Sequence, residues 1–219
     1  IERTETTHSK NSGEERFDVA KIFRRETWCI GESAFAVLLL LIGTSILDGF
    51  YGSYYNLNQL VFDAFDAPVS IIGIFFGASY AVNATAYIAA DFFSSRFGKR
   101  NTMLGSMLIE AGLFMILPWF ASNPLCLFGL SMVLCFLPEV VYITSENLIQ
   151  DAIADDLRAT ILSVASLVRA LFSAMFFSIF GYVLGLYPIQ IALGIIGAIA
   201  IAITAVVSLK MVGIQVSKN

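Results

Sequence analysis

Four ionisable side chains stand inside long apolar stretches of this 219-residue chain. They are Asp48, Glu110, Glu139 and Arg169. A charge near the bilayer centre costs about 2.5–3.5 kcal/mol on insertion scales, so such residues usually face a bundle interior or water and mark ion or substrate pathways. Counted inward at 1.5 Å per residue, Glu110, Glu139 and Arg169 lie at similar depths, on the order of 10 Å. That depth permits Arg169 to pair with a carboxylate, whereas Asp48 falls in the outer half of its stretch.

Polar side chains form further candidate faces on the apolar stretches. Asp48 and Tyr51 share one helical face, which predicts a cavity carboxylate that exchanges protons or, alternatively, an Asp that reaches interfacial water. Tyr80, Asn83 and Tyr87 form a stripe on the second stretch. A polar stripe in an apolar helix avoids lipid, so it either lines a substrate path or bonds to neighbouring helices.

The fourth and fifth stretches carry the remaining candidates. Glu139 and Tyr142 share a face directly after Pro138, whose missing N–H predicts a kink. Glu139 is interpreted as a gate or coupling carboxylate, or as the ion-pair partner of Arg169. Arg169 is expected to point inward, where it binds an anionic substrate or neutralises Glu139. For Glu110 we expect a structural role.

Composition places the chain in a membrane. It is 58% hydrophobic and 14% charged, with a mean hydropathy of +0.79, whereas soluble domains are about 25% charged. A net charge of −4 with scattered basic residues carries no nucleic-acid signal. The only histidine, His8, lies in a polar tail, and the three cysteines form no C-x-x-C pair. We therefore expect no metal site, no cofactor and no intramembrane protease centre.

Six apolar segments predict an all-α polytopic fold. Each is near or above the ~20 residues that cross the hydrocarbon core, where only helices satisfy their own backbone. The segments are about 33–55, 69–90, 102–121, 124–145, 160–186 and 188–210. They form a predicted bundle over 31–210, between a partly disordered cytoplasmic segment at 1–30 and a cytoplasmic tail at 211–219.

Basic residues predict the orientation of this bundle. All 13 Lys and Arg except Arg169 flank the spans on the side that holds both termini. The opposite loops, 56–68, 122–123 and the turn near 187, contain neither residue type. The positive-inside rule then places both termini in the cytoplasm, and we expect a bacterial cytoplasmic membrane.

Two cytoplasmic turns carry a family resemblance. The run S-R-F-G-K-R-N at 95–101 resembles the D-R-F-G-R-R loop of the major facilitator superfamily, with Ser95 in place of the Asp. The run D-D-L-R-A-T-I-L-S at 155–163 resembles the loop before the eleventh helix of that family, with Ala154 in place of a Pro. The resemblance implies a twelve-helix protein in two halves, of which this chain is the C-terminal six-helix half with the preceding joining loop. The chain begins with Ile1, and we expect a missing N-terminal half as its partner.

The resemblance also implies a function. It is secondary active transport of a small molecule by alternating access, coupled to protons through Asp48 or Glu139. Efflux of an amphipathic compound is preferred, and uptake of a nutrient or metabolite by a symporter is the alternative. A non-transporting membrane sensor or scaffold is the alternative from another class.

Opposite charges on the two turns predict an electrostatic latch at the cytoplasmic face. Such exposed pairs are each worth less than ~1 kcal/mol. The predicted gate residues are Asp91, Arg96, Gly98, Lys99, Arg100, Asp155, Asp156 and Arg158.

Two G-x-x-x-G pairs, Gly73–Gly77 and Gly181–Gly185, predict close contacts between helices, because small residues let backbones approach.

Overall fold

The computed structural model describes residues 33–120, 122–153 and 158–212. The predicted segment 1–30, the pair Asp155 and Asp156, and most of the tail at 211–219 lie outside these described residues. Within them the chain forms six α-helices. They are α1 (Ser33–Ala64), α2 (Val69–Phe97), α3 (Lys99–Phe120), α4 (Pro124–Asp151), α5 (Arg158–Leu186) and α6 (Ile189–Val212).

Five helices, α2 to α6, are long and apolar enough to cross a membrane. The described chain is therefore the helical part of an integral membrane protein, as composition predicted. The remaining helix, α1, has 32 residues. After its leucine-rich start it carries the polar residues Thr44, Asp48 and Asn58. A sixth crossing by α1 stays a prediction.

Three helices extend by more than one turn beyond the apolar segments that predicted them. α1 continues into the predicted loop at 56–68 as far as Ala64, α2 continues to Phe97 and α4 to Asp151. The apolar segment marks only the part suited to hydrocarbon, whereas a helix keeps its backbone bonds as it passes into a polar zone. Within the added turns of α1, Leu57 and Phe62 are buried in the core, so packing also favours the longer helix.

Gly98 alone separates α2 from α3 and forms a tight turn. Its φ is 83°, in the left-handed region that glycine adopts without steric cost. The Gly98 N–H donates to the Ser94 carbonyl at 2.9 Å, and its own carbonyl accepts from the Thr102 N–H at 3.0 Å. The first bond ends α2 and the second begins α3, so a single residue joins the two helices.

The helices pack in two layers. α1 and α4 form the centre of the first layer, with α5 beside α1 and α2 beside α4, while α3 and α6 form the second layer behind them. Phe50 of α1 lies at the centre, completely buried. Its ring meets Phe114 of α3 at 5.8 Å and Phe180 of α5 at 4.8 Å, both edge-to-face. Such pairs add about 0.5–1.5 kcal/mol to the burial of the rings.

The predicted glycine contacts are wrong within this bundle. A methyl group at Gly73, Gly77, Gly181 or Gly185 would meet nothing within 4 Å, because all four lie on exposed faces of α2 and α5. A different glycine makes a close contact that the spacing rule did not indicate. At Gly49 an added Cβ would lie 2.7 Å from the Ser173 nitrogen.

Candidate ion-pair site between α1, α4 and α5

The close crossing of α1 and α5 positions the candidate site. Gly49 lets the two backbones approach, and the Ser53 hydroxyl donates to the Ser173 carbonyl at 2.8 Å. These contacts lie directly beside Asp48 on α1 and one helical turn beyond Arg169 on α5. The crossing therefore brings these two side chains together.

Arg169 is the centre of the site. Its Nε lies 2.6 Å from Asp48 Oδ2, and its Nη2 lies 3.6 Å from Glu146 Oε1. Its Cζ lies 4.3 Å from the centroid of the Tyr142 ring, within the range of a cation–π contact. The Nε–H makes no hydrogen bond of regular geometry, so charge attraction governs the contact with Asp48.

The geometry corrects one expectation. Asp48 lies near the middle of α1, which continues to Ala64, and its position in the outer half of a membrane span stays a prediction. The ion pairs of Arg169 among the described residues are with Asp48 and Glu146, not with Glu139. Glu139 and Arg169 were expected to pair because they lie at similar depths. Depth does not determine the direction in which each side chain points from its helix.

Glu146 is the candidate site residue that the sequence analysis did not single out. It follows the predicted apolar segment 124–145, whereas α4 runs unbroken through Pro138 to Asp151. Once the helix is known to continue, the spacing of Glu139, Tyr142 and Glu146 places all three on one face. That i, i+3, i+7 pattern is the signal that would have found it.

Charge and exposure define what the site can do. Two carboxylates share one guanidinium, and the side chains of Asp48, Glu146 and Arg169 are 21%, 27% and 23% exposed. Half-buried charges in a membrane bundle must face water or protein rather than lipid. The site therefore has an unbalanced negative charge that can take up a proton or another cation. It also has an arginine that an anionic ligand can recruit.

The other predicted path residues are more scattered. Tyr51 is 3% exposed, and its hydroxyl lies 3.5 Å from Thr204 Oγ1 of α6, so it packs in the core instead of lining a path. Asn83 is half-buried, and with its amide nitrogen turned inward it donates to the Ser79 and Cys135 carbonyls at 3.2 Å. The Asn83 contact with α4 supports the helix-bonding interpretation of its stripe.

Tyr80 and Tyr87 are 72% and 57% exposed on the outer face of α2. No contact among the described residues joins them to the Arg169 site.

Glu110 is completely buried in α3. Neither of its carboxyl oxygens has a hydrogen-bond partner among the described residues, and it forms no ion pair with Arg169. The hydroxyls of Tyr54 and Ser131 are likewise buried without a partner there. Buried polar groups of this kind each cost about 1–3 kcal/mol.

At the predicted cytoplasmic gate an ion pair between described residues joins the α2–α3 turn to the end of α4. Lys99 Nζ, at the start of α3, lies 2.5 Å from Asp151 Oδ2 at the end of α4. Arg158 Nη2 donates to the Gln150 carbonyl at 3.4 Å. Asp91 and Arg96 are exposed. The Lys99–Asp151 pair is itself solvated, so it is worth less than ~1 kcal/mol.

Within the described ranges, no group of three or more His, Cys, Asp or Glu residues is placed to hold a metal ion. Comparison of the chain with protein-family models finds no match, and comparison with curated proteins finds none either.

Proposed function

We propose that this protein is a secondary active transporter of the major facilitator type, which moves a small molecule by alternating access. The observation that carries the proposal is the Arg169 site. An arginine and two carboxylates from three helices meet, half-buried, in a bundle whose helices suit a membrane. Such groups are costly in a bilayer and usually serve ion or substrate pathways. The two cytoplasmic turns with their family resemblance support the same conclusion.

The proposed mechanism depends on Arg169, which Asp48 and Glu146 share. A proton on Asp48 weakens its attraction for the guanidinium and leaves Glu146 as the remaining ionic partner. The contact that holds α1 to α5 then weakens while the contact of α5 with α4 remains. A ligand can shift an equilibrium between two arrangements only through such a difference in interaction. Proton binding at this site thus favours one side of the rocking cycle.

The exposed faces of α2 and α5 support a second helical body as partner. The face of α2 carries Gly73, Gly77, Tyr80 and Tyr87, all exposed. Small and polar residues pack helix against helix in membranes, because they permit close approach and hydrogen bonds. We propose that these faces pack against the N-terminal six-helix half.

The substrate class follows from the character of the bundle. The chain has 19 Phe and 8 Tyr, and the ionic groups near the middle of the bundle are few. An amphipathic molecule with at most one charge fits this environment, and we propose its efflux in exchange for protons.

Transport assays on inverted membrane vesicles test the proposal. Vesicles that hold the intact protein are energised with an acid interior, and ethidium, an amphipathic aromatic cation, is the probe. We expect ethidium accumulation that collapses when the pH gradient is dissipated. Arg169→Gln should abolish it, because both carboxylates lose their cation. Asp48→Asn should uncouple it from the gradient, whereas Asp63→Asn, a matched change at an exposed site, should leave it intact.

Two results would contradict the proposal. Accumulation that is unaltered in Arg169→Gln removes the site from the transport path. A protein that is thermally stabilised by ethidium but never moves it across the membrane is a sensor or scaffold instead.

A further inference from the structure

A groove opens on the outer surface where α2, α3 and α4 meet. It encloses about 330 Å³, within the ~300–1,000 Å³ typical of small-molecule sites. Phe93 and Phe97 of α2, Ile109 of α3 and Phe136 of α4 line it. Phe97 and Ile109 are 55% and 57% exposed, so the groove is open to the surroundings of the bundle. Its apolar wall suits a hydrocarbon chain.

One end of the groove is cationic. Arg96 lies in the last turn of α2, and Lys99 and Arg100 begin α3 beside the groove residue Thr102. Lys99 is paired with Asp151, whereas Arg96 is exposed and forms no ion pair with another described residue. The first backbone N–H groups of a helix have no acceptor within it and attract anions. The end of the groove at the α2–α3 turn is thus complementary to a negative group.

Thr102 provides an independent sign of a polar ligand. It is 7% exposed and lines the groove, and its Oγ1 has no hydrogen-bond partner among the described residues. A buried hydroxyl without a partner costs about 1–3 kcal/mol. An acceptor oxygen that entered this end of the groove would remove that cost.

We propose that the groove binds one anionic phospholipid from the leaflet that the α2–α3 turn faces. The acyl chain lies along Phe97, Ile109 and Phe136. A phosphate oxygen accepts from the Thr102 hydroxyl and the first N–H groups of α3, and Arg96 attracts the charge. Only an amphiphile satisfies both ends of the groove, because a free phosphate leaves the apolar wall without contacts. This site is separate from the Arg169 site and does not depend on transport.

The test uses the intact protein, delipidated in detergent. The probes are palmitoyl-oleoyl phosphatidylglycerol, phosphatidylcholine with the same chains, and inorganic phosphate. We expect phosphatidylglycerol to raise the melting temperature by several degrees and to remain as one adduct in native mass spectrometry. Phosphatidylcholine should retain at most a tenth of that adduct, and inorganic phosphate should have no effect.

Groove-filling variants locate the effect. Gly105 lines the groove, and a Cβ there would meet nothing within 4 Å, so Gly105→Phe can begin its side chain without a clash and place a ring in the groove. It should lower the adduct at least tenfold. Gly112→Phe on the same helix, also in open space and outside the groove, should behave as the parent. Arg96→Gln should abolish the preference for phosphatidylglycerol over phosphatidylcholine.

Three outcomes would overturn the site. They are full binding by Gly105→Phe, equal binding of the two lipids, and a complete stabilisation by inorganic phosphate alone. If Gly105→Phe does not fold, the exposed Arg96→Gln variant decides, and an unaltered lipid preference there also overturns the proposal.

Discussion

Arg169 is held by two carboxylates at unequal distances, 2.6 Å for Asp48 and 3.6 Å for Glu146. The Tyr142 ring lies against the guanidinium, with its centroid 4.3 Å from Cζ. An arginine presents several donors in one plane, so it can retain one carboxylate while it exchanges the other. At the scale of single residues, the site is therefore suited to alternate between partners.

A double-mutant cycle measures the stronger of the two pairs. Arg169→Gln should lower stability, because it leaves two carboxylates without their cation. Adding Asp48→Asn should recover part of the loss, with a coupling free energy of about 1–2 kcal/mol, within the usual range for contacting residues. Thermal unfolding in one detergent gives the four values. The cycle with Glu146→Gln should give a smaller coupling, and a coupling of zero with Asp48 would refute the pair.

Helix contacts decide which side chains meet. Gly49 permits the close crossing of α1 and α5, and Ser53 bonds across it to Ser173. By contrast, the glycines of the G-x-x-x-G pairs face away from the other described helices. A small-residue spacing therefore indicates that a backbone can approach, but it does not say which face has a neighbour.

Gly49→Ala tests the crossing. The added Cβ would lie 2.7 Å from a backbone nitrogen, which cannot move without shifting α5. We expect a loss of about 1–3 kcal/mol, as for overpacked cores, and weaker coupling between Asp48 and Arg169. Thermal unfolding provides the measurement. Gly112→Ala, at an exposed position of α3 where an added Cβ would meet nothing within 4 Å, should be neutral or stabilise by up to about 1 kcal/mol, and equal effects of the two changes would contradict the tight crossing.

The molecule as a whole has chemically different ends. The α2–α3 turn and the end of α4 carry Arg96, Lys99 and Asp151, joined in part by an ion pair. The opposite end, where α4 begins at Pro124 after the cap Asn123, has no basic residue in the described turn. Because cationic flanks are retained on the cytoplasmic side, the difference predicts one orientation.

Cysteine labelling checks that orientation. In a background without Cys29, Cys126 and Cys135, single Arg96→Cys and Ser122→Cys variants are treated with a membrane-impermeant maleimide. We expect Arg96→Cys to react only in inside-out vesicles and Ser122→Cys only in right-side-out vesicles. Both positions are exposed, so access is set by the membrane alone. The reverse pattern would contradict the cytoplasmic placement of the α2–α3 turn.

Sequence alone determined the class of this protein and several of its local features. The apolar segments are long enough to cross the hydrocarbon core, where a helix satisfies the backbone hydrogen bonds within each segment. Gly98 permits the turn between α2 and α3, because few other residues adopt the φ of 83° that this position requires. The free-energy cost of a charge in the bilayer depends on the residue type and on the surrounding apolar run. Both are local properties of the sequence, so Asp48 and Arg169 could be identified as costly charges.

Tertiary structure alone decided which charges pair. Glu139 and Arg169 have similar depths, yet Arg169 contacts Asp48 and Glu146. Depth is set by position along one helix, whereas pairing depends on the crossing at Gly49 and on the rotation of α4 and α5 about their axes. Those rotations result from the packing of all the helices together, and no single stretch of sequence contains them.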